Sequence, residues 1–103
     1  MSRRVRRSLV GAVLAAALAV GVAPAAQATV VHVGGGTWNY GVESIFPSWN
    51  WSDYYHPSRR HRSSVTGDQG LVRSRCTAPG QWSRVRAWDS NPFRIDHAYW
   101  SYC

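Results

Sequence analysis

The residues best suited to chemistry lie between positions 56 and 62. His56 and His61 flank a turn led by a proline, which carries Arg59 and Arg60, and Arg62 follows directly. Arginine binds phosphate oxygens through two parallel N–H groups, and a neighbouring histidine supplies a further donor. We therefore expect both imidazole rings to lie beside the three arginines, in a patch that binds phosphate or pyrophosphate.

The same two histidines, with Cys76 and Cys103, are candidates for a zinc site. The spacing of the histidines fits a Cys2His2 set, but the cysteines lie far apart in the sequence, whereas zinc sites usually take closely spaced pairs. Two cysteines in an exported chain pair with each other. We expect a Cys76–Cys103 disulfide, no metal and no cofactor; closing so long a loop contributes about 3 to 4 kcal/mol on the chain-entropy model.

A glycine run at positions 34–36 precedes Thr37 and Trp38. It lacks the Lys-Ser/Thr ending of a phosphate loop, so a nucleotide site is a poor candidate. Two interpretations remain. Residues 30–36 form a flexible lead-in to a first strand with Trp38 and Tyr40 on one face, or the glycines let backbone N–H groups approach an anionic ligand closely.

Catalytic motifs are lacking in the sequence. Serine, histidine and aspartate are available, but neither a Gly-x-Ser-x-Gly elbow nor a metalloprotease helix motif occurs. We expect a protein that is not an enzyme.

The elements that must position these residues are strands. No apolar set recurs at helical spacing, and four prolines interrupt the pattern. Short runs rich in β-branched and aromatic residues, separated by turn clusters, predict an all-β fold: an antiparallel β-sandwich or small barrel. The predicted strands are 38–42, 62–66, 71–75, 81–88 and 94–102. Segment 44–57, with five aromatic residues, is interpreted as an aromatic loop or an edge strand.

Large and small residues alternate along the predicted strand 81–88. Its larger residues, Trp82, Arg84, Arg86 and Trp88, share one face. The small residues between them are expected to face the core. The Trp/Arg face is then either a binding surface or a cover for the core, in which the indoles and arginine stems shield apolar groups.

The first 28 residues have the layout of a secretory signal peptide. Four arginines precede an apolar run, and Ala26-Gln27-Ala28 forms a small-residue cleavage site. The apolar run is too short for the roughly 20 residues of a spanning helix. We expect cleavage after Ala28 and a mature domain of residues 29–103, exported by the general or the twin-arginine route.

The composition of the mature segment favours anionic partners. Four of the twelve arginines lie in residues 1–28, so eight arginines face five acidic residues, a net charge of +3. This mild charge suits phosphates or envelope polymers, whereas nucleic acid usually calls for a denser basic face. All thirteen aromatic residues lie in this segment, and a domain so small must expose some of them.

An ordered set of motifs resembles the lactococcin 972 family of bacteriocins. After the signal peptide come Gly35-Gly36-Thr37-Trp38-x-Tyr40-Gly41, Ser52-x-Tyr54-Tyr55-His56, His61-x-Ser63-Ser64-Val65, Ala78-Pro79-Gly80-Gln81-Trp82-Ser83 and Ala98-Tyr99-Trp100-x-Tyr102. The resemblance implies a sandwich of two small antiparallel sheets and killing of related Gram-positive bacteria. It further implies binding of the cell-wall precursor lipid II, a block of septum formation without pores, and immunity transporter proteins as companions.

These lines lead to one expected function: a secreted bacteriocin that binds lipid II or another anionic wall precursor and contacts the membrane only through that target. The expected ligand-binding residues are Trp38, Tyr40, Tyr54, Tyr55, His56, Arg59, Arg60, His61 and Arg62. The alternative is a carbohydrate-binding or wall-associated structural protein. Its sugar-stacking residues would be the six tryptophans, Trp38, Trp49, Trp51, Trp82, Trp88 and Trp100.

Overall fold

The computed structural model describes residues 27–103. The predicted signal peptide, residues 1–28, therefore lies almost wholly outside the described residues. Within residues 27–103 no helix has the length and apolarity needed to cross a membrane. The described chain forms seven strands: β1 (Thr29–Val33), β2 (Gly36–Gly41), β3 (Ser48–Tyr55), β4 (His61–Gly67), β5 (Gly70–Arg73), β6 (Trp82–Asp89) and β7 (Ala98–Tyr102).

The strands form two antiparallel sheets. One sheet has the order β1-β2-β3-β6 and the other has the order β5-β4-β7. Their inner faces pack together, which confirms the predicted all-β sandwich. The five predicted strands correspond to β2, β4, β5, β6 and β7 with shifted ends. The largest shift is in β7, which begins at Ala98 because Arg94 and Asp96 pair with each other in the preceding loop.

The glycine run lies in a hairpin turn. Residues 29–33 form β1, which pairs with residues 36–40 of β2, so the prediction of a flexible lead-in is wrong. Gly34 and Gly35 are the two turn residues, with φ of 63° and 83°. Positive φ at both positions is the geometry of a type I′ turn, which glycine adopts without steric cost.

Segment 48–55 is the inner strand β3, with β2 on one side and β6 on the other. The interpretation of 44–57 as an aromatic loop or edge strand is therefore wrong. The strand was hard to recognise because its core-facing residues are polar: Asn50 and Ser52 are buried, while the aromatic Trp49 and Trp51 lie on the other face.

The core has a small apolar part and a polar part. Val65, Val85 and Ala87 form the buried apolar cluster. In the polar part, serine side chains from the two sheets contact each other: the hydroxyls of Ser63 in β4 and Ser83 in β6 form a hydrogen bond of 2.6 Å. A buried hydroxyl is tolerated only when it is hydrogen-bonded, so these contacts keep the layers in one register.

The disulfide prediction is confirmed. Cys76 and Cys103 are bonded, with their Cα atoms 6.0 Å apart. Both thiols are therefore unavailable to a metal, and the Cys2His2 alternative is wrong. The bond fastens the end of β7 to the connection between β5 and β6, which compensates for an apolar core of few residues.

Candidate functional site

His56 is a buried structural residue. Its Nδ1 accepts backbone N–H groups from Ser58 at 3.1 Å and Arg59 at 2.9 Å. Its Nε2 lies 3.0 Å from the carbonyl oxygen of Gly34. A ring that accepts at Nδ1 and donates at Nε2 is a neutral imidazole in the Nε2–H tautomer. Both nitrogens are thus engaged by the backbone.

His61 is fully buried beneath the same turn. Its Nδ1 and Nε2 each lie 2.7 Å from a carbonyl oxygen, that of Arg59 and that of Gln81 respectively. A carbonyl oxygen can only accept, so both hydrogen bonds form together only when both ring nitrogens carry hydrogen. The ring joins the turn to the start of β6 and has no nitrogen facing solvent.

Tyr54 is the third predicted ligand residue that lies inside. Its hydroxyl donates to the carbonyl of Val33 at 2.8 Å, and its ring stacks on Trp100 with centroids 4.6 Å apart. Burial raises the pKa of the Tyr54 hydroxyl, and the nearby Tyr102 adds to this effect. His56 and His61 therefore hold the turn of residues 57–60 in place, whereas Tyr54 holds the first hairpin turn through Val33 and Gly34.

The arginines of this segment point outward in different directions. The guanidinium of Arg59 lies 3.8 Å from the ring centroid of Tyr102, a cation–π contact. Arg60 lines a cavity of about 400 Å³ with Arg75 and Trp82. The side chains of Arg59 and Arg60 are both exposed but have different neighbours: Tyr102 for Arg59, and Arg75 and Trp82 for Arg60. They do not form one patch with the histidine rings.

Arg62 lines a second cavity, of about 440 Å³, on the outer face of the three-stranded sheet. Arg73 from β5 and Tyr99 from β7 lie in the same cavity, with Leu71 at its apolar side. The Nε of Arg62 is buried and has no hydrogen-bond partner within the described residues. An unpaired buried donor is unfavourable by about 1 to 3 kcal/mol.

Ion pairing separates the arginines into two groups. Asp53 binds Arg84 and Arg86, and Arg94 binds Asp68, Asp89 and Asp96. The fifth acidic residue, Glu43, accepts the backbone N–H of Asp96. The arginines without an acidic partner in the described part of the chain are Arg59, Arg60, Arg62, Arg73 and Arg75. We call Arg60, Arg62, Arg73 and Arg75, which line the two cavities on either side of the disulfide, the arginine face.

Arg73 and Arg75 were not among the residues predicted from the sequence. Arg73 is the last residue of β5 and Arg75 lies two residues beyond it; Arg73 lines the cavity of Arg62, and Arg75 lines the cavity of Arg60. That spacing was visible in the sequence. Their position beside Arg60 and Arg62 was not, because it depends on the pairing of β4 with β5.

The remaining predicted aromatic residues lie elsewhere. Trp38 and Tyr40 stack at 4.0 Å on the inward side of β2, where Trp38 Nε1 donates to Ser52 Oγ at 2.9 Å. Tyr55 lies on the outward side of β3, next to Trp82 at 5.6 Å. The nine predicted residues therefore do not form one site.

Arg94, in the loop before β7, pairs with three acidic residues from different parts of the chain: Asp68, Asp89 and Asp96. A backbone N–H from Ser90 and the guanidinium of Arg94 lower the pKa of Asp68 to about 2. Burial raises the pKa of Asp89. Burial also acts on Asp96, but hydrogen bonds from Thr66, Asp89 and Arg94 outweigh it and lower its pKa. One arginine among three carboxyl groups makes this loop unsuited to binding an anion.

Comparison with known proteins identifies one family. A family model described as "Bacteriocin (Lactococcin_972)" matches residues 34–100, well over half of the chain. No curated protein and no solved structure matches the chain.

Proposed function

The chain belongs to the lactococcin 972 family of bacteriocins, and from this premise we propose that it is a secreted antibacterial protein that binds lipid II and blocks septum formation in related Gram-positive bacteria. It acts by binding, without turnover of a substrate. The protein contacts the membrane only through its target, lipid II, which lies in that membrane.

The observation that supports the lipid II proposal is the arginine face. Four arginines without carboxylate partners line cavities at the two cysteines of the disulfide: Arg62 and Arg73 on the outside of the three-stranded sheet, and Arg60 and Arg75 beside Cys76. Lipid II carries a pyrophosphate, whose oxygens match the paired N–H groups of arginine. Free charge of this kind is concentrated here, since among the other arginines of residues 27–103 Arg84, Arg86 and Arg94 pair with aspartates and Arg59 lies over the ring of Tyr102.

The cavity at Arg62 has the features of an anion site with room for a larger head group. Its volume of about 440 Å³ falls in the range of small-molecule sites. Arg62 and Arg73, which line the cavity together, would hold the two phosphates through their guanidinium groups. Tyr99 and Leu71 offer apolar surface for the parts of the ligand next to the phosphates.

This arrangement alters the roles of the residues predicted from the sequence. Arg60 and Arg62 remain ligand-binding residues, joined by Arg73 and Arg75. His56 and His61 act indirectly, because they hold the turn that carries Arg59 and Arg60; Tyr54 acts indirectly by holding the first hairpin turn.

The test compares two faces of the molecule. An Arg62→Ala/Arg73→Ala variant removes two charges from the arginine face, while Arg84→Ala removes an exposed charge from the other sheet. Binding to liposomes with and without lipid II, and inhibition of bacterial growth, are measured for each. We expect the double variant to lose binding at least tenfold and Arg84→Ala to bind as the unmodified protein does.

The dependence of lipid II binding on salt concentration distinguishes recognition by charge from recognition by non-polar contact. Binding of pyrophosphate by partly exposed arginines weakens as ionic strength rises. Lipid II binding that resists salt and survives the double substitution would contradict the assignment of the arginine face. Growth inhibition without lipid II binding would contradict the target itself.

A further inference from the structure

The outer face of the four-stranded sheet carries a second surface, which the lipid II proposal does not use. Strand alternation and the pairing of β3 with β6 place Trp49 opposite Trp88, and Trp51 opposite Arg86. We call the four tryptophans of this surface, Trp49, Trp51, Trp82 and Trp88, the tryptophan face. Trp49 is 53% exposed and Trp88 is 43% exposed, so the rings remain available.

We propose that the tryptophan face binds an uncharged polysaccharide chain, with the indole rings stacked on successive sugar rings. The pyranose ring has apolar C–H faces that pack on aromatic surfaces and hydroxyl groups around its edge. A binding surface for it needs fixed rings with hydrogen-bonding groups between them.

The rings are held in place before any ligand binds. Trp51 Nε1 donates to Asn39 Oδ1 at 3.0 Å, and its indole lies across Gly41, where a Cβ would come within 2.3 Å of the ring. Trp49 and Trp88 contact each other edge to face at 5.3 Å. Rings already fixed lose little conformational freedom when a ligand binds.

Polar groups occupy the space between the rings. Arg86 donates to both carboxylate oxygens of Asp53, at 2.8 and 3.3 Å, and Arg84 donates to one of them at 3.1 Å. The arginine side chains are still about half exposed, so N–H groups remain for sugar hydroxyls. Because Asp53 offsets part of their charge, this surface favours a neutral partner more than the arginine face does.

The length of the surface favours a chain over a single sugar. Trp82 and Trp88 lie six residues apart on one strand, about 20 Å at strand spacing. Rings so far apart contact different sugar units of one polysaccharide. Affinity should therefore rise with the length of the oligosaccharide.

Other occupants fit this surface less well. The four strands are 5, 6, 8 and 8 residues long. At strand spacing they cover roughly 400 Å², below the roughly 800 Å² per partner of a standard interface, so a second copy would be held weakly. Pairing of two copies through this face would also bring Arg84 and Arg86 of one copy near those of the other. Insertion into a lipid bilayer would remove Asp53, Arg84 and Arg86 from water at a large free-energy cost.

The experiment measures quenching of tryptophan fluorescence by N-acetylglucosamine oligomers, from the monosaccharide to the hexasaccharide, and by glucose oligomers of the same lengths. Sugar-free phospholipid vesicles and sedimentation of the protein alone test the other occupants. Trp82→Ala and Trp88→Ala remove the ends of the face, and Trp88→Tyr restores an aromatic ring. Phe93→Ala is the matched control, because Phe93 is 92% exposed and lies outside the face.

We expect affinity to increase at least tenfold from disaccharide to hexasaccharide, and to fall at least tenfold in each Trp→Ala variant. Trp88→Tyr should recover most of the loss, and Phe93→Ala and Arg62→Ala/Arg73→Ala should bind as the unmodified protein does. Binding that ignores chain length or survives both Trp→Ala changes would overturn the proposal. So would vesicle binding or dimer formation that depends on these tryptophans in place of sugar binding. Arg62 and Arg73 lie on the other sheet, so failure of sugar binding leaves the lipid II result at those two residues unaffected. Trp88→Ala is the cleaner of the two tryptophan variants, because Trp82 also lines the cavity of Arg60 and Arg75.

Discussion

The indole of Trp100 lies directly against Gly34. A Cβ at Gly34 would come within 2.2 Å of the Trp100 ring, and the backbone there has a φ of 63°. A residue of the first hairpin turn is thus in contact with a residue of the last strand. The contact places β7, which supplies Tyr99 to the arginine face, against the edge of the other sheet.

Substitution of Gly34 by alanine should therefore destabilise the fold in two ways. Positive φ alone costs an alanine about 1 to 2 kcal/mol, and overpacking against Trp100 adds about 1 to 3 kcal/mol. Gly70→Ala is the matched control, since Gly70 has a φ of 88° with nothing within 4 Å of its Cβ position. Urea denaturation should show a larger loss for Gly34→Ala; equal losses would mean that the Trp100 contact is unimportant.

Loss of the disulfide should lower stability substantially. A Cys76→Ser/Cys103→Ser variant is expected to lose about 3 to 4 kcal/mol of unfolding free energy, because its unfolded chain is no longer constrained. Denaturant titration of the variant and of the oxidised and reduced protein checks this. The reduced protein should match the variant. If reduction leaves the denaturation midpoint unchanged, the bond does not hold β7 to the sandwich as described.

Replacement of His56 should loosen the turn that carries Arg59 and Arg60. In His56→Ala, the N–H groups of Ser58 and Arg59 lose their acceptor, at an expected cost of about 1 to 3 kcal/mol. Amide hydrogen exchange at Ser58 and Arg59 should become at least tenfold faster. His97→Ala, which removes an exposed ring, should leave those two amides unchanged. Unaltered protection in His56→Ala would show that the turn holds itself in place.

The Asp68 carboxylate should give the fold an acid-dependent contribution. Its folded-state pKa of about 2 lies below its ordinary value of about 3.9. Its stabilising effect is therefore fully present above pH ~4 and is lost as the pH falls through ~2. Asp68→Asn should be less stable than the unmodified protein at neutral pH, with the difference vanishing near pH ~2. An NMR titration of Asp68 near its ordinary value would contradict this.

Several features could be predicted from local sequence patterns alone. The alternation of large and small residues in β6 identified its inward and outward faces, since successive side chains of a strand point to opposite sides. Two cysteines in a chain expected to be exported left one intramolecular pairing. The ordered motifs identified the family, which the match over residues 34–100 confirmed.

Other features depended on contacts between distant parts of the chain. The position of β3 inside a sheet was missed because Asn50 and Ser52 look like surface residues until the opposite sheet supplies their hydrogen-bond partners. His56 and His61 look like ligand residues for the same reason.

The sequence by itself therefore determined a disulfide-closed β protein of this family, because alternation, turn residues and cysteine number are local properties; export stays a prediction. Only the tertiary structure decided which arginines are free. Asp53 neutralises Arg84 and Arg86 through the pairing of β3 with β6, while Arg62 and Arg73 meet without a carboxylate through the pairing of β4 with β5. Strand pairing brings together residues remote in sequence, so the charge of each face is set by the fold.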